Sequence, residues 1–477
     1  MGRGPWRASV PEVQKALELL LGVDVGTTRT KATVVDTCGK ELAWASVPTR
    51  WQQLATGAET GAEQLLRAVL EAAAAALEAA PPGPVVGAGV TSLAETAVYL
   101  DAGGRPAAPC IAWYDSRGQE AAAGLEESFG AEGFSRHTGL AVSAMCTIAK
   151  LKWHLAKRGP APRSVLSVAD WVVHALGGEL ASEASLASRT GALDVPGRRW
   201  WGEALEWAGV EAGTFPPLVP AGTSLGKATL DQAFHLVGGL DLDQNVLARL
   251  EGAALTSAGH DHLCAAAGVG ATSPAQVLDS CGTTEALVRA VGPLDRDGLA
   301  RAVHGGLCVS WHTVPGHDAL LIGNPLGMVL DRVLRLLGMA GAEAAEQLDL
   351  RSEGVAPGRL RVVSNGFSGD PAVEGLHPEV CPEALWSAAV EEVSANVAAA
   401  LAVITDFGGP AEELLLSGGW ARSAGLRRRR LGLLPRLRWP AVTEAGARGA
   451  ALFGGCAAGL FEGPAVFPAP ADRPLAP

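Results

Sequence analysis

Apolar positions gather early in the chain. Residues 19–25, LLLGVDV, form a nearly unbroken apolar run with Asp24 as its one charged position, and they stop at the polar turn Gly26-Thr27-Thr28. A run of that length closed by turn residues predicts a buried strand. ATVVD and ELAWASV follow as two further strands around a Cys-Gly-Lys turn, so the fold begins as a meander whose first turn carries glycine and hydroxyls. An alanine-rich helix near residues 62–80 leads into VVGAGV, which reads as a buried parallel strand. Helix followed by strand points to an α/β domain.

A second copy of this plan begins near residue 252. LDSCGTTEALVRAV sets Gly282-Thr283-Thr284 after an apolar strand, as LGVDVGTTRTKATVV does earlier, with Ser280 in the place of Asp24. A third strand-turn-helix signal is ELLLSGGWARS, where Gly418 and Gly419 follow the strand directly. The chain therefore divides into an extension at 1–17, an N-terminal domain at 18–251, a C-terminal domain at 252–462 and a Pro-rich tail at 463–477. Both ends lack periodicity and read as lying outside the fold.

Composition narrows the classes. A chain of 477 residues is too long for one core and predicts two sizeable domains. No stretch has the roughly 18 consecutive apolar residues of a membrane helix, and no signal peptide is evident. A net charge of −12 argues against nucleic-acid binding, which needs a positive face, and the basic run Arg427 to Arg430 reads as a solvated helix face. Eight cysteines are scattered without a CxxC pair, which fits a reducing cytoplasm.

Glycine allows the backbone to approach a phosphate closely, and threonine adds a hydroxyl beside free N–H groups. Two such loops facing each other would clamp a triphosphate. Beside the first, Lys31 offers a point charge to a phosphate oxygen and Asp24 a carboxylate to a magnesium ion. The plain alternative for either tripeptide alone is a hairpin turn.

The ordered set of motifs resembles the FGGY carbohydrate kinases, within the actin-like and hexokinase-like ATPases, across residues 19–460. DVGTTRTK resembles the first phosphate loop, AWYDSRG a sugar-pocket segment, SAGHDHLCAAAGVG the catalytic-base segment and DSCGTTEAL the second phosphate loop. LSGGWARS and TEAGARGAAL resemble the adenosine region. MCTIAKLKWHL resembles a signature segment with Lys150 and Trp153 in place, although His154 stands where an aliphatic residue is usual. The resemblance implies two actin-like, ribonuclease H-like α/β domains flanking a central cleft, with sugar deep in it and nucleotide nearer the mouth.

It also implies roles. Asp261 would be the general base that takes a hydroxyl proton during transfer of the γ-phosphoryl group of ATP. Asp24 would organise Mg2+; Gly26, Thr27, Thr28 and Lys31 would hold the transferring phosphate, and Gly282, Thr283 and Thr284 the others. Gly418 and Gly419 would form one wall of the adenosine site, Gly446 and Ala447 the other. Glu95, Trp113, Asp115, Arg117 and His262 would contact the substrate, Trp113 by stacking and Asp115 with Arg117 as acceptor and donor.

The residues alone leave alternatives. His260, Asp261 and His262 admit a zinc site, and Asp261 admits a helix N-cap. The Ala94-Glu95 pair matches half of the glycerol kinase pair and neither xylulokinase residue, while Gly-His-Asp looks like the fuculokinase and rhamnulokinase branches. A sugar (ketose) or polyol kinase, with a small-molecule partner and a possible homodimer, therefore stands beside an actin-like or chaperone-type ATPase and a catalytically silent sugar-binding module.

Overall fold

The computed structural model describes residues 17–475 apart from 160, 239–242 and 368–369, so nearly all of the N-terminal extension lies outside the described residues. β1 (Leu19–Val25) is the middle of a five-stranded sheet. β2 (Arg29–Asp36) and β3 (Glu41–Pro48) follow antiparallel on one side, and β4 (Val85–Ser92) and β5 (Ala254–His260) lie parallel on the other, in the order β5-β4-β1-β2-β3. Between β3 and β4 the chain forms α1 (Ala62–Ala79).

The second sheet, of six strands, opens on the same kind of hairpin and also carries two parallel strands on its far side. β6 (Gln276–Cys281) pairs antiparallel with β7 (Glu285–Val291), with β8 (Cys308–Trp311) and β9 (Asp318–Asn324) continuing outward, while β10 (Glu413–Ser417) and β11 (Arg436–Arg438) lie parallel on the far side. Each sheet thus opens on a hairpin with Gly-Thr-Thr at its turn, and the last strand of each is followed by a helix. β5 leads into α2 (Asp261–Val269). After α3 (Leu326–Leu336) and α4 (Pro382–Gly408), β11 is followed by α5 (Ala445–Ala457).

β1 is apolar throughout because it is covered twice. Leu19, Leu21, Val23 and Val25 face α1, whereas Leu20 and Gly22 face α5 from the far end of the chain. α5 lies directly on the backbone there: a side chain at Gly22 or Gly89 would run into the carbonyl of Ala447 or Ala450. Small residues in TEAGARGAAL thus join the halves, at a helix-propensity cost of about 1 kcal/mol per glycine.

Several sequence expectations change. The second repeat starts at β6 and not near 252, because 254–260 is the fifth strand of the first sheet, parallel to β4; its apolar run and following helix merely resemble a fresh start. The tail is docked rather than outside the fold: Phe467 packs on Phe453 and Phe461, Asp472 pairs with Arg438, and Arg473 lies over Trp439. The basic run is half buried, since Arg427 and Arg430 turn inward and only Arg428 and Arg429 face solvent, paired with Glu353 and Glu391. Among the described residues α4 alone is long and apolar enough to cross a membrane, and its buried face covers β7 and β9.

Candidate active site

The turn after β1 is pinned from outside. Thr49 donates to the Gly26 carbonyl at 2.9 Å, the Trp51 indole N–H to the Thr27 carbonyl at 2.7 Å, and the Trp113 indole N–H to Thr27 Oγ1 at 2.9 Å. Trp113 therefore joins the AWYDSRG segment to the first Gly-Thr-Thr turn. The loop stays open toward the cleft at Thr28, which is exposed.

Asp24 is the most electrostatically loaded group beside that loop. Burial pushes its carboxyl up to about 7, and the nearby carboxylates of Asp261 and Glu444 act in the same direction against Lys31. Its Oδ1 is buried without a hydrogen-bond partner, and a Cβ on Gly446 would fall 2.6 Å from its Oδ2. An acidic oxygen left unmet beside a second carboxylate is a donor set that fits a hard cation such as Mg2+. Lys31 Nζ reaches Glu444 Oε2 at 2.7 Å, and although burial works against its charge, Asp24 and Glu444 raise its pKa. Glu444 escaped the sequence reading; it lies within TEAGARGAAL, and only the fold brings it to Lys31.

Asp261 is the first residue of α2, with His260 at the N-cap position. Its Oδ1 accepts from the His262 backbone N–H at 2.7 Å and lies 3.2 Å from His260 Nε2, and a quarter of its side chain remains exposed. The base segment is held from behind: Ser185 Oγ accepts from the His260 N–H at 3.0 Å, and Glu183 accepts from that hydroxyl at 2.6 Å. Burial pushes His260 down to about 3, so it is neutral at physiological pH. His260, Asp261 and His262 bring ligand atoms within 4.8 Å of one another, with no fourth His, Cys, Asp or Glu among the described residues in that group.

Further along the cleft, Glu95 has φ of 60°, a conformation uncommon for a side-chain-bearing residue and a marker of local constraint. Arg189 donates to its Oε1 through Nε at 2.8 Å and through Nη2. Arg189 had no motif to announce it. Lys150 donates to the carbonyl of Trp113 at 2.8 Å and of Met145 at 3.2 Å, and burial pushes it down to about 8. Lys150 therefore supports the backbone of the AWYDSRG segment.

Asp115 and Arg117 have a different task from the one expected. Asp115 is buried and accepts from the Arg117 backbone N–H and from its Nε and Nη2, while Arg117 also pairs with Glu59 and lies over Trp153. Their hydrogen-bonding groups are met inside the protein, by one another and by Thr56, Ala58 and Glu59. Trp113 remains half-buried beside exposed Tyr114.

The turn after β6 lies across the cleft. Met328 at the start of α3 donates to the Thr283 carbonyl at 3.0 Å, and Gly282 N–H to the Thr284 carbonyl at 3.1 Å. A Cβ on Gly327 would run into the carbonyl of Gly282, and one on Gly418 into that of Cys281. Two adjoining troughs open here. One of about 390 Å³ is lined by Gly282, Thr283, Gly419, Trp420 and Ala345, and one of about 670 Å³ by Gly418, Gly419, Lys31, Glu444 and Trp439. Gly418 and Gly419 thus face open space, but Ala447 is fully buried against β1 and Gly446 against Asp24, so the structure does not put them on the wall expected of them.

Two hairpin-opened sheets of related topology, one of five strands and one of six, facing across a cleft, define an actin-like α/β fold. A xylulose kinase from Lactobacillus acidophilus superposes with a TM-score of 0.82 at 18% identity, covering 96% of this chain and 93% of that one. A glycerol kinase from Plasmodium falciparum gives 0.78 at 14% identity, covering 93% and 90%. Residues 19–247 match the model of the FGGY family of carbohydrate kinases, N-terminal domain. An autoinducer-2 kinase of Klebsiella pneumoniae is 28% identical over 94% of this chain and 87% of its own, and a xylulose kinase of Streptomyces coelicolor 29% identical over 93% and 88%. A gluconokinase of Bacillus subtilis is 27% identical over 206 residues, 42% of this chain and 40% of that protein. Residues 19–247 thus match the FGGY carbohydrate kinases, phosphotransferases with an alcohol group as acceptor, and kinase relatives align with nearly the whole chain.

Proposed function

We propose that the chain transfers the γ-phosphoryl group of ATP to a hydroxyl of a sugar (ketose) or polyol, with Asp261 as general base. The observation that carries this reading is the approach of Asp261 to Asp24 beside the first loop, two carboxylates from separate segments of which one has an unmet oxygen. A sugar hydroxyl is a poor nucleophile until a carboxylate accepts its proton, and Asp261 is partly open to the cleft for that purpose. Asp24 would hold Mg2+, which supplies charge neutralisation on the phosphates when bound. Thr28 and Lys31 orient the transferring group, while Gly282 and Thr283 grip the remaining phosphates through backbone N–H groups. The adenosine would lie along Gly419 and Trp420, and the buried cleft would keep bulk water from the transfer.

Trp113 offers its half-buried face to ring C–H groups, and the Glu95–Arg189 pair presents a fixed acceptor and donor to hydroxyls. His262 flanks the base at the substrate side. The same reading puts the enzyme in the reducing cytoplasm, where its eight cysteines, all unpaired here, remain thiols.

A coupled ADP-release screen across pentuloses, hexuloses, deoxy-ketoses, sugar acids and polyols tests the proposal. ADP release that depends on one of these compounds and on magnesium is the expected result. Equal ATP hydrolysis with and without every compound would favour the chaperone-type ATPase instead.

A further inference from the structure

Behind the second Gly-Thr-Thr turn lies a cluster of charge that no part of the proposed chemistry uses. Arg430, on the short helix Ala424–Arg430, is fully buried. Its Nε meets Asp279 Oδ2 at 3.0 Å, its Nη2 meets Glu285 Oε1 at 2.6 Å, and its Nη1 meets Ser394 Oγ of α4 at 3.1 Å. The two remaining carboxylate oxygens are also met, Asp279 Oδ1 by the Cys281 thiol at 3.1 Å and Glu285 Oε2 by the Asn324 amide at 3.0 Å. Asp279 and Glu285 have side-chain exposures of 0%.

The placement is specific. Asp279 stands on β6 three residues before Gly282, and Glu285 follows Thr284 directly on β7. One guanidinium therefore grips both stems of the loop and ties them to α4. A buried charge network of this kind is a poor way to gain stability compared with apolar packing, and its best-supported use is to fix one geometry. The planar fork of arginine serves three partners in fixed directions, which a lysine ammonium cannot.

We propose that Arg430 is a positioning residue for the second phosphate loop, acting through Asp279 and Glu285 to hold the turn 282–284 in the shape that accepts nucleotide phosphates. The inference rests on the reading of that turn as a phosphate loop. Charge bears on it too: burial and the neighbouring Asp279 push the Glu285 carboxyl well above its usual range, and Arg430 pulls it back. The first loop has no such backing; its charges are Asp24, Lys31 and Glu444, at the cleft itself.

The test compares the full-length wild type with Arg430→Lys and, as a control on the same helix, Arg429→Gln, whose side chain makes an exposed pair with Glu391. Titration with ADP and steady-state kinetics in ATP and in the sugar found by the screen are the readouts, with thermal melting alongside. Arg430→Lys is expected to raise the ADP Kd and the ATP KM about tenfold while the sugar KM stays within twofold, and Arg429→Gln to change neither. A loss that falls equally on sugar and nucleotide, or none in a folded Arg430→Lys, overturns the role of Arg430. If that variant does not fold, Glu285→Ala releases one stem only and must give the same nucleotide-selective shift; an unchanged ATP KM there overturns the role as well. Wild type that binds no ADP would instead overturn the phosphate-loop reading itself.

Discussion

The two Gly-Thr-Thr hairpins share a backbone plan and differ in what surrounds them. The first follows Asp24, is pinned by two indole N–H groups, and keeps its charges facing the cleft. The second follows Ser280, abuts the start of α3, and keeps its charges sealed behind it around Arg430. Under the proposed function the same turn would serve two uses: where a carboxylate stands at the strand end, the loop would gain a site for a cation beside the reacting group; where serine stands there, it would grip phosphates alone. Topology repeats while electrostatics do not.

The sharpest way to break this comparison is to make the first loop like the second. Asp24→Ser is expected to lower turnover by about a hundredfold or more, the scale of losing a group that stabilises transition-state charge, with nucleotide binding largely retained. It should also flatten a pH effect. Because Asp24 keeps its proton up to about 7, protons compete with the metal below that pH. The magnesium concentration needed for half-maximal rate should therefore rise as pH falls from about 8 to 6 in the wild type, and lose that slope in Asp24→Ser. A slope that survives the substitution would remove Asp24 from the metal site.

A smaller effect sharpens the other half of the contrast. Trp113→Phe deletes the N–H that reaches Thr27 but keeps an apolar face for the sugar. The ATP KM is expected to rise about fivefold, corresponding to one neutral hydrogen bond of about 1 kcal/mol. A change confined to the sugar KM would show that Trp113 serves only as a stacking surface.

The sequence carried the two hairpins because buried strands and glycine turns are local signals. It also displayed the ordered motifs that resemble the family, and the structure sets Asp24 near Lys31 and Asp261 and joins Trp113 to Thr27. What it could not display were pairings made across the fold. Arg189 and Glu444 acquire meaning only through Glu95 and Lys31, each of them far away in the chain. Asp115 and Arg117 look like free recognition groups in AWYDSRG, yet the turn closes them on each other. Four consecutive arginines look like a solvated face, and only the docking of the short helix against β6, β7 and α4 divides them into buried and exposed. TEAGARGAAL reads as a nucleotide wall, but its small residues are needed where α5 lies on the backbone of β1 and β4.

The central claim is that Asp261 removes the proton from the accepting hydroxyl. It is tested most directly by Asp261→Asn, assayed in parallel for ATP binding and for ADP release with the substrate found by the screen. The account predicts ATP affinity within about threefold of wild type and turnover reduced by about 10²- to 10⁴-fold, the range for loss of a general base. Turnover near that of the wild type would contradict it.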